Sequence, residues 1–560
     1  MTFWADEEAS LLAPDRDHVI RDSKTPSGTV PISGLRGPII TDALYRTFKR
    51  RGLRIRYVFT IDDYDPMDSA SMKLVAGMAE HMGKPLCAIP SPDPAYSDFA
   101  RYNADRYLAT FALLGIRPEE VHWLRDLYRS GALDRQIDLV LRNAATIRRI
   151  YAEVANVKKD DRWLPIAVIC ESCGRIGTTA AHDYDGGTVA YDCRKDYVAW
   201  AEGCGHSGRI SPFKGNAKLY WNLQWCAMWD HFAVTYEEGG KDLLTEGGSR
   251  DRANEIYREV WKKEPPRGLA HEFLNLGGKK MSTSRPEEWA KLGIAAHELV
   301  GVYPPEIVRF LMLRTDPKRH IDFDPTGMSL PRLLDEYDRC ADQYAVDPES
   351  DLGKSWALSQ VEPDPAPAGY RVRFSIVADW LQIPSADPLR KAAERKGAPL
   401  TASEAADLRR RIELARIWLE RWAPEEAKFR VHDDLPDAAR ALTRAQREFL
   451  ARAADVVTDG MDPDDLQQRL YGIAREVGLV DPPSPQRAAR GGEGPTRAST
   501  AAERGVPPSE VGKVSKDAFA SIYIAFLGRP TGPKAGWLLA TLPADMVQRR
   551  LRDASREAAA

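Results

Sequence analysis

The segment HVIRDSKTPSGTVPISGLRGPIITDALYRTFKRRG, residues 18–52, restricts the fold more than any other part of the chain. An apolar start around His18–Ile20 runs into a turn rich in Pro, Ser and Gly. Leu35, Ile39, Ile40, Ala43, Leu44 and Phe48 then recur on one helical face. Strand, small-residue turn and helix make the opening of a βα unit. The start of such a helix offers free N–H groups and a positive dipole end to a phosphate. In RIRYVFTIDDYDP a second β-rich run, Ile55–Ile61, is followed by Asp62, Asp63 and Asp65 where the strand should end. Open parallel sheets gather ligands beyond the carboxyl ends of their strands. Three crowded carboxylates oppose one another's ionisation unless a cation or a hydroxyl-rich ligand uses them. A solvated acidic turn is the plainer reading, and Pro66 and Asp68 are turn residues.

At 560 residues the chain is too long for one ordinary core. With 43% hydrophobic and 29% charged residues it reads as a soluble globular protein. No apolar run approaches the ~18–20 residues needed to cross a bilayer. The start, MTFWADEEASLL, lacks the layout of a signal peptide, so a cytosolic location is expected. A formal net charge of -3 does not announce nucleic-acid binding but leaves room for a local basic face. Seven cysteines are an odd count, and a cytosolic setting disfavours disulfides. Cys87, Cys226 and Cys340 read as small buried hydrophobes. Cys170-x-x-Cys173-Gly reads as a zinc knuckle, with glycine letting the backbone curl around the metal. Its second half supplies Cys204-Gly, but Ala201 stands where the partner cysteine belongs. The fourth ligand is then Cys193 or His206; the alternative is a degenerate knuckle without metal.

Trp221, Trp225 and Trp229 form one helical stripe. Such a stripe is more often core than ligand wall, yet aromatic faces also clamp ammonium groups. A strand over Phe232–Tyr236 is expected to lead into Gly239-Gly240-Lys241-Asp242 and then Gly247-Gly248-Ser249. There glycines admit a close ribose or phosphate, and Asp242 accepts from a ribose hydroxyl. LNLGGKKMSTSRPEEW, Leu274–Trp289, sets two glycines and two lysines before Met281-Ser282-Thr283-Ser284. A mobile, doubly cationic, hydroxyl-lined loop suits a polyphosphate held during one step and released afterwards.

Together these segments resemble a known family. TPSGTVPISG is similar to the first signature of class I aminoacyl-tRNA synthetases, and KKMSTS to the second. DDYDP, MGKPLCAIPSP, WNLQWCAMW, GGKDLLTEGGS and the C-terminal AFLGRPTGPKAGWLLATL extend the resemblance to the class I lysyl-tRNA synthetases, over nearly the whole chain. The resemblance implies attack of the lysine carboxylate on the α-phosphorus of ATP, then transfer of the lysyl group to tRNA(Lys). Catalysis of this kind is positioning and charge stabilisation. Lys279, Lys280, Ser282, Thr283 and Ser284 would steady the pyrophosphate. Ser27, Gly28, Ile32, Ser33, Gly34, Gly240, Lys241, Asp242 and Met281 would line ATP. An acid from Asp62, Asp63 and Asp65, with a tryptophan wall of Trp221 and Trp225, would hold the substrate lysine. ATP with Mg²⁺, a structural Zn²⁺ on the cysteine cluster and a monomer are expected, with no membrane partner.

The family's His-containing tetrapeptide is Pro31-Ile32-Ser33-Gly34 here, so both imidazole positions are lost. A lost oxyanion-type donor costs about 2.7–4 kcal/mol in the transition state, or roughly 100- to 1000-fold in rate, unless Ser33 or another group substitutes. That departure leaves open a tRNA-binding paralogue without efficient aminoacylation, or a class I enzyme for another amino acid. The Cys/His cluster that some relatives carry after GKPL is absent. Downstream of Pro304 the pattern turns helical. Thr401 with Glu404 and Thr443 with Gln446 read as capping boxes. Leu408, Ile412, Ala415, Leu419 and Trp422 make an apolar stripe, and Gly478 closes a further helix. By resemblance this part is an anticodon-binding bundle, and lysine anticodons are U-rich loops read by stacking and base-edge hydrogen bonds.

The expected architecture is therefore α/β. A Rossmann-like nucleotide-binding catalytic domain (1–155 and 216–300) carries a zinc-knuckle insertion (156–215). A connecting helical region (301–385) follows, then an all-α anticodon-binding helical bundle (386–560) with a disordered insertion at 482–512.

Overall fold

Helix α1 (Trp4–Ser10) precedes strand β1 (His18–Lys24), helix α2 (Arg36–Arg50), strand β2 (Ile55–Ile61), helix α3 (Phe99–Leu114) and strand β3 (Glu120–Trp123). The computed structural model describes residues 3–69, 72–75, 77–281, 295–300, 302–363, 366–367, 369–383, 386–481 and 514–556. Ser282, Thr283, Ser284 and the insertion expected at 482–512 lie outside the described residues. All six apolar residues of the helical face read from sequence, Leu35 to Phe48, are 0% exposed, and α2 packs on β1 and β2.

β1, β2 and β3 pair in parallel, with His18 opposite Ile55 and Lys24 opposite Ile61. On the other side of β1, Tyr236 bridges Ile20 in parallel and Arg267 bridges Tyr236. Gly239–Gly240 then pairs in parallel with Ala270–His271. The order across the sheet is β3-β2-β1, then the 234–240 segment, then the 267–271 segment. Chain order thus reverses beside β1, which is the topological switch point where open parallel sheets bind ligands.

The expected strand over Phe232–Tyr236 is corrected. Phe232 ends the Trp221–Phe232 helix, and Ala233 turns the chain with φ 53°. Pairing with β1 starts only afterwards, through Thr235 and Tyr236 donating to the Val19 carbonyl.

The chain divides into two compact units, Met1–Asp324 with Glu336–Pro367, and Pro325–Asp335 with Ala368–Ala560. Within the first, Thr179–His182, Val189–Cys193 and Ser207–Ile210 form an antiparallel sheet, and Ile166–Val168 pairs with Ala217–Leu219. The second has a helical core in which Phe449, Leu450, Leu466, Leu470, Ile522 and Leu551 are buried. Both capping boxes form, at Thr401–Glu404 and Thr443–Gln446. Trp418, 2% exposed, displaces Leu419 from the buried stripe. Among the described residues, no helix is long and apolar enough to cross a membrane.

Candidate functional site

Two cavities meet at the switch point. The first, about 350 Å³, lies between the Ser27–Arg36 turn and the 271–281 hairpin, with Lys24, Ser33, Gly34, Lys280 and Met281 in its wall. The hairpin pairs Leu276 with Lys279. Gly277 and Gly278 have φ of 54° and 76°, the two positive values that a tight two-residue hairpin turn requires. The second cavity, about 250 Å³, is acidic and aromatic, with Asp22, Asp62, Trp221, Trp225, Glu237 and Glu238 in its wall. Lys24, Ser33, Gly34 and His271 line both cavities and so stand at their junction.

The tetrapeptide Pro31–Gly34 is one turn of 3₁₀ helix, Ile32–Leu35, leading straight into α2. The Gly34 N–H donates to Pro31 O at 2.9 Å, and the Tyr107 hydroxyl donates to Gly34 O at 2.6 Å. Ile32 is 0% exposed and serves the core, and Gly28 lines neither cavity. Gly240 lines the second, whereas Lys241 and Asp242 line neither. Lys241 pairs with Glu272 at 2.7 Å, and the Asp242 carboxylate accepts from Lys280 at 3.1 Å, so it is committed to the hairpin. Lys279 is exposed and outside both cavities.

The acidic turn after β2 is divided between tasks. Asp62 alone of the three lines the second cavity. Asp63 is 0% exposed and bound by Arg125 through side chain and backbone. Asp65 accepts from Thr25 and pairs with Lys218, both at 2.8 Å. The crowding is relieved internally, by Arg125 and Lys218, which leaves Asp62 as the one of the three facing the cavity. Burial and the neighbouring Asp65 push the Asp62 pKa up to about 7.

Asp22, Glu237, Glu238 and Lys24 were not singled out in the sequence. Glu237 pairs with Arg21 at 2.5 Å and accepts from Trp229 Nε1. Glu238 pairs with His271 at 2.9 Å. Burial opposes charge on that imidazole, but the Glu238 carboxylate outweighs it and raises the His271 pKa. Asp22 Oδ1 accepts from the Ser23 N–H, while Oδ2 is buried with no hydrogen-bond partner among the described residues. Burial, then the Glu238 charge, raises the Asp22 pKa well above the carboxylate range. The signal available was polar residues ending apolar strands, in RDSK and in YEEGG.

The tryptophan stripe is graded in exposure. Trp221 is 40% exposed, Trp225 5% and Trp229 0%. Trp221 stacks on Trp225 at 4.7 Å, while the Arg250 guanidinium lies 4.6 Å from the Trp229 ring centre. Trp229 is core; the other two line the second cavity.

Away from these cavities, Cys170, Cys173, Cys193 and Cys204 bring four Sγ atoms within 4.8 Å of one another. Cys170–Cys204 and Cys173–Cys193 are each 3.7 Å apart. That is far beyond a disulfide and near the edge of about 3.8 Å that a tetrahedron with Zn–S bonds of about 2.3 Å would have. Cys193, at the end of its strand, completes the set, whereas the imidazole of the expected alternative His206 is not part of it and His206 contributes through its backbone, the carbonyl accepting from the Cys193 N–H at 2.8 Å. The His206 N–H hydrogen bond leads the groups that pull the Cys204 pKa down to about 6.

A parallel α/β sheet with a cationic, glycine-turned hairpin over its switch point places both cavities where open parallel sheets bind ligands. Residues 2–362 match the family described as tRNA synthetases class I (K). The chain is 30% identical to lysine–tRNA ligase 1 of Methanosarcina acetivorans, over 99% of this chain and 98% of that protein. It is 30% identical to the lysine–tRNA ligase of Thermoplasma acidophilum, over 99% of both, and 29% identical to that of Archaeoglobus fulgidus, over 98% and 99%. The chain belongs to the class I tRNA synthetases (K).

Proposed function

We propose that the protein is an ATP-dependent lysine–tRNA ligase that activates L-lysine as lysyl-adenylate and passes it to tRNA(Lys). The observation that carries this reading is the junction of a cation-walled cavity with an acidic, tryptophan-walled one. ATP occupies the first, its β- and γ-phosphates against Lys280 and the hairpin. Lysine occupies the second, its ammonium groups facing Asp22 and Asp62 and its aliphatic stem against Trp221 and Trp225. The lysine carboxylate then points at the junction, where it attacks the α-phosphorus. The bond to the bridging oxygen breaks, and pyrophosphate leaves with the electron pair. The terminal ribose of tRNA(Lys) afterwards attacks the lysyl carbonyl and releases AMP. Mg²⁺ arrives with ATP and neutralises part of the triphosphate charge.

The donor set Cys170, Cys173, Cys193 and Cys204 fits a structural Zn²⁺, because four thiolates leave no open coordination position for chemistry. Residues 386–560 are the anticodon-reading part in this reading. Lysine-dependent ATP–pyrophosphate exchange, run with cognate tRNA and all twenty amino acids in parallel, tests the proposal. Exchange with lysine alone is expected. Exchange with another amino acid overturns the substrate, and no exchange from folded protein that binds tRNA overturns the enzyme.

A further inference from the structure

The tetrapeptide Pro31–Gly34 offers no imidazole at the place where the two cavities join, and a side chain at its last position is sterically excluded. A Cβ built on Gly34 collides with Val30 and would stand 3.7 Å from Lys24 Nζ. Lys24 closes β1, its backbone held by the Asp62 N–H at 2.9 Å, and it lines both cavities.

The other cations there are already engaged. Arg36 is spent on the carbonyls of Phe273, Pro317 and Arg319. Lys280, in an exposed pair with Asp242, is the cation assigned to the β- and γ-phosphates. Both nitrogens of His271 are used, Nε2 by Glu238 and Nδ1 by the Glu272 carbonyl. Among the described residues, Lys24 Nζ has no hydrogen bond or ion pair. A partly desolvated ammonium without a partner is costly, and such a group persists where a ligand supplies the missing charge.

We infer that the Lys24 ammonium meets the α-phosphate of bound ATP and does the work of the imidazoles that Pro31 and Gly34 cannot supply. It acts as a charge and transfers no proton; burial lowers its pKa, and the Asp22 carboxylate opposes that. While the carboxylate–phosphorus bond forms and the bond to pyrophosphate breaks, it stabilises charge on the non-bridging oxygens. This rests on the reading of the first cavity as an ATP site.

The test compares wild type, Lys24→Met and Lys24→Arg in the full chain. Calorimetric binding of ATP and of adenosine is measured alongside melting temperature and lysine-dependent pyrophosphate exchange. Lys24→Met should weaken ATP at least tenfold and leave adenosine unchanged. It should slow exchange about 100- to 1000-fold with the KM for lysine unmoved, and raise the melting temperature because an unpaired charge is gone. Lys24→Arg should recover part of the rate. If Lys24→Met binds ATP and exchanges like wild type, the inference falls while the ligase reading stands. If wild type exchanges with no amino acid yet Lys24→Met loses ATP selectively, the ligase reading falls and Lys24 remains the phosphate cation. Equal loss of ATP and adenosine, with Lys24→Arg as poor as Lys24→Met, would reduce Lys24 to a packing residue.

Discussion

At the Asp62 carboxylate a bound ammonium competes with a proton. The Asp62 pKa of about 7 lies far below the ~10.4 of a lysine side chain, so only the carboxylate changes charge near neutrality. Lysine binding should therefore weaken as pH falls through about 7, measurable as a rising KM. Asp62→Asn should flatten that profile and cost lysine affinity roughly 10- to 100-fold, the worth of a hydrogen bond to a charged group. The same group shapes stability. Folded Asp62 keeps its proton up to about pH 7, whereas the unfolded chain releases it near ~3.9. The folded state binds more protons across that window, so this contribution to stability falls as pH rises through it. Asp62→Asn should remove the slope in denaturant unfolding. The three aspartates were legible as a cluster, but their division of labour was not. Arg125 and Lys218 come from elsewhere in the chain, and only folding sets them beside Asp63 and Asp65.

At the scale of elements, the cysteine sheet separates two readings that spacing left open. Cys193→Ser should lose bound zinc and lower the melting temperature, while His206→Ala should keep both near wild type; metal content by mass spectrometry and a thermal melt decide it. A neighbouring case concerns the helix Pro305–Leu313. Its Arg309 is 0% exposed, pairs with Asp42 of α2 at 2.7 Å and donates to the carbonyls of Leu114 and Leu358. Removing one partner strands a buried charge, so Asp42→Ala should cost about 3–5 kcal/mol in urea unfolding. The capping boxes and the Ile55–Ile61 strand were readable because they depend on a few neighbouring residues. The 234–240 segment was misread as starting at Phe232, because an apolar run alone does not tell a buried helix end from a strand.

For the whole molecule, a net charge of -3 means that a polyanionic tRNA must be met by a local basic face. Counterion release then makes the affinity salt-dependent. A complex with several phosphate contacts should lose at least about tenfold in affinity between 50 and 200 mM salt, measured by filter binding of tRNA(Lys). A salt-independent affinity would argue against such a face.

Sequence by itself determined the strands and helices with strong periodicity, the capping boxes, the cysteine pair on its tight turn and the glycine-rich cationic loop. Each is specified by residues within a few positions of one another. Tertiary structure decided what meets across the switch point. β1 carries Lys24, the 234–240 segment carries Glu237 and Glu238, and the hairpin carries Lys280. Which of their charges pair internally and which stay open to a ligand depends on the register of strands more than two hundred residues apart. The local sequence RDSK marks polar residues ending a strand but not which of them pair.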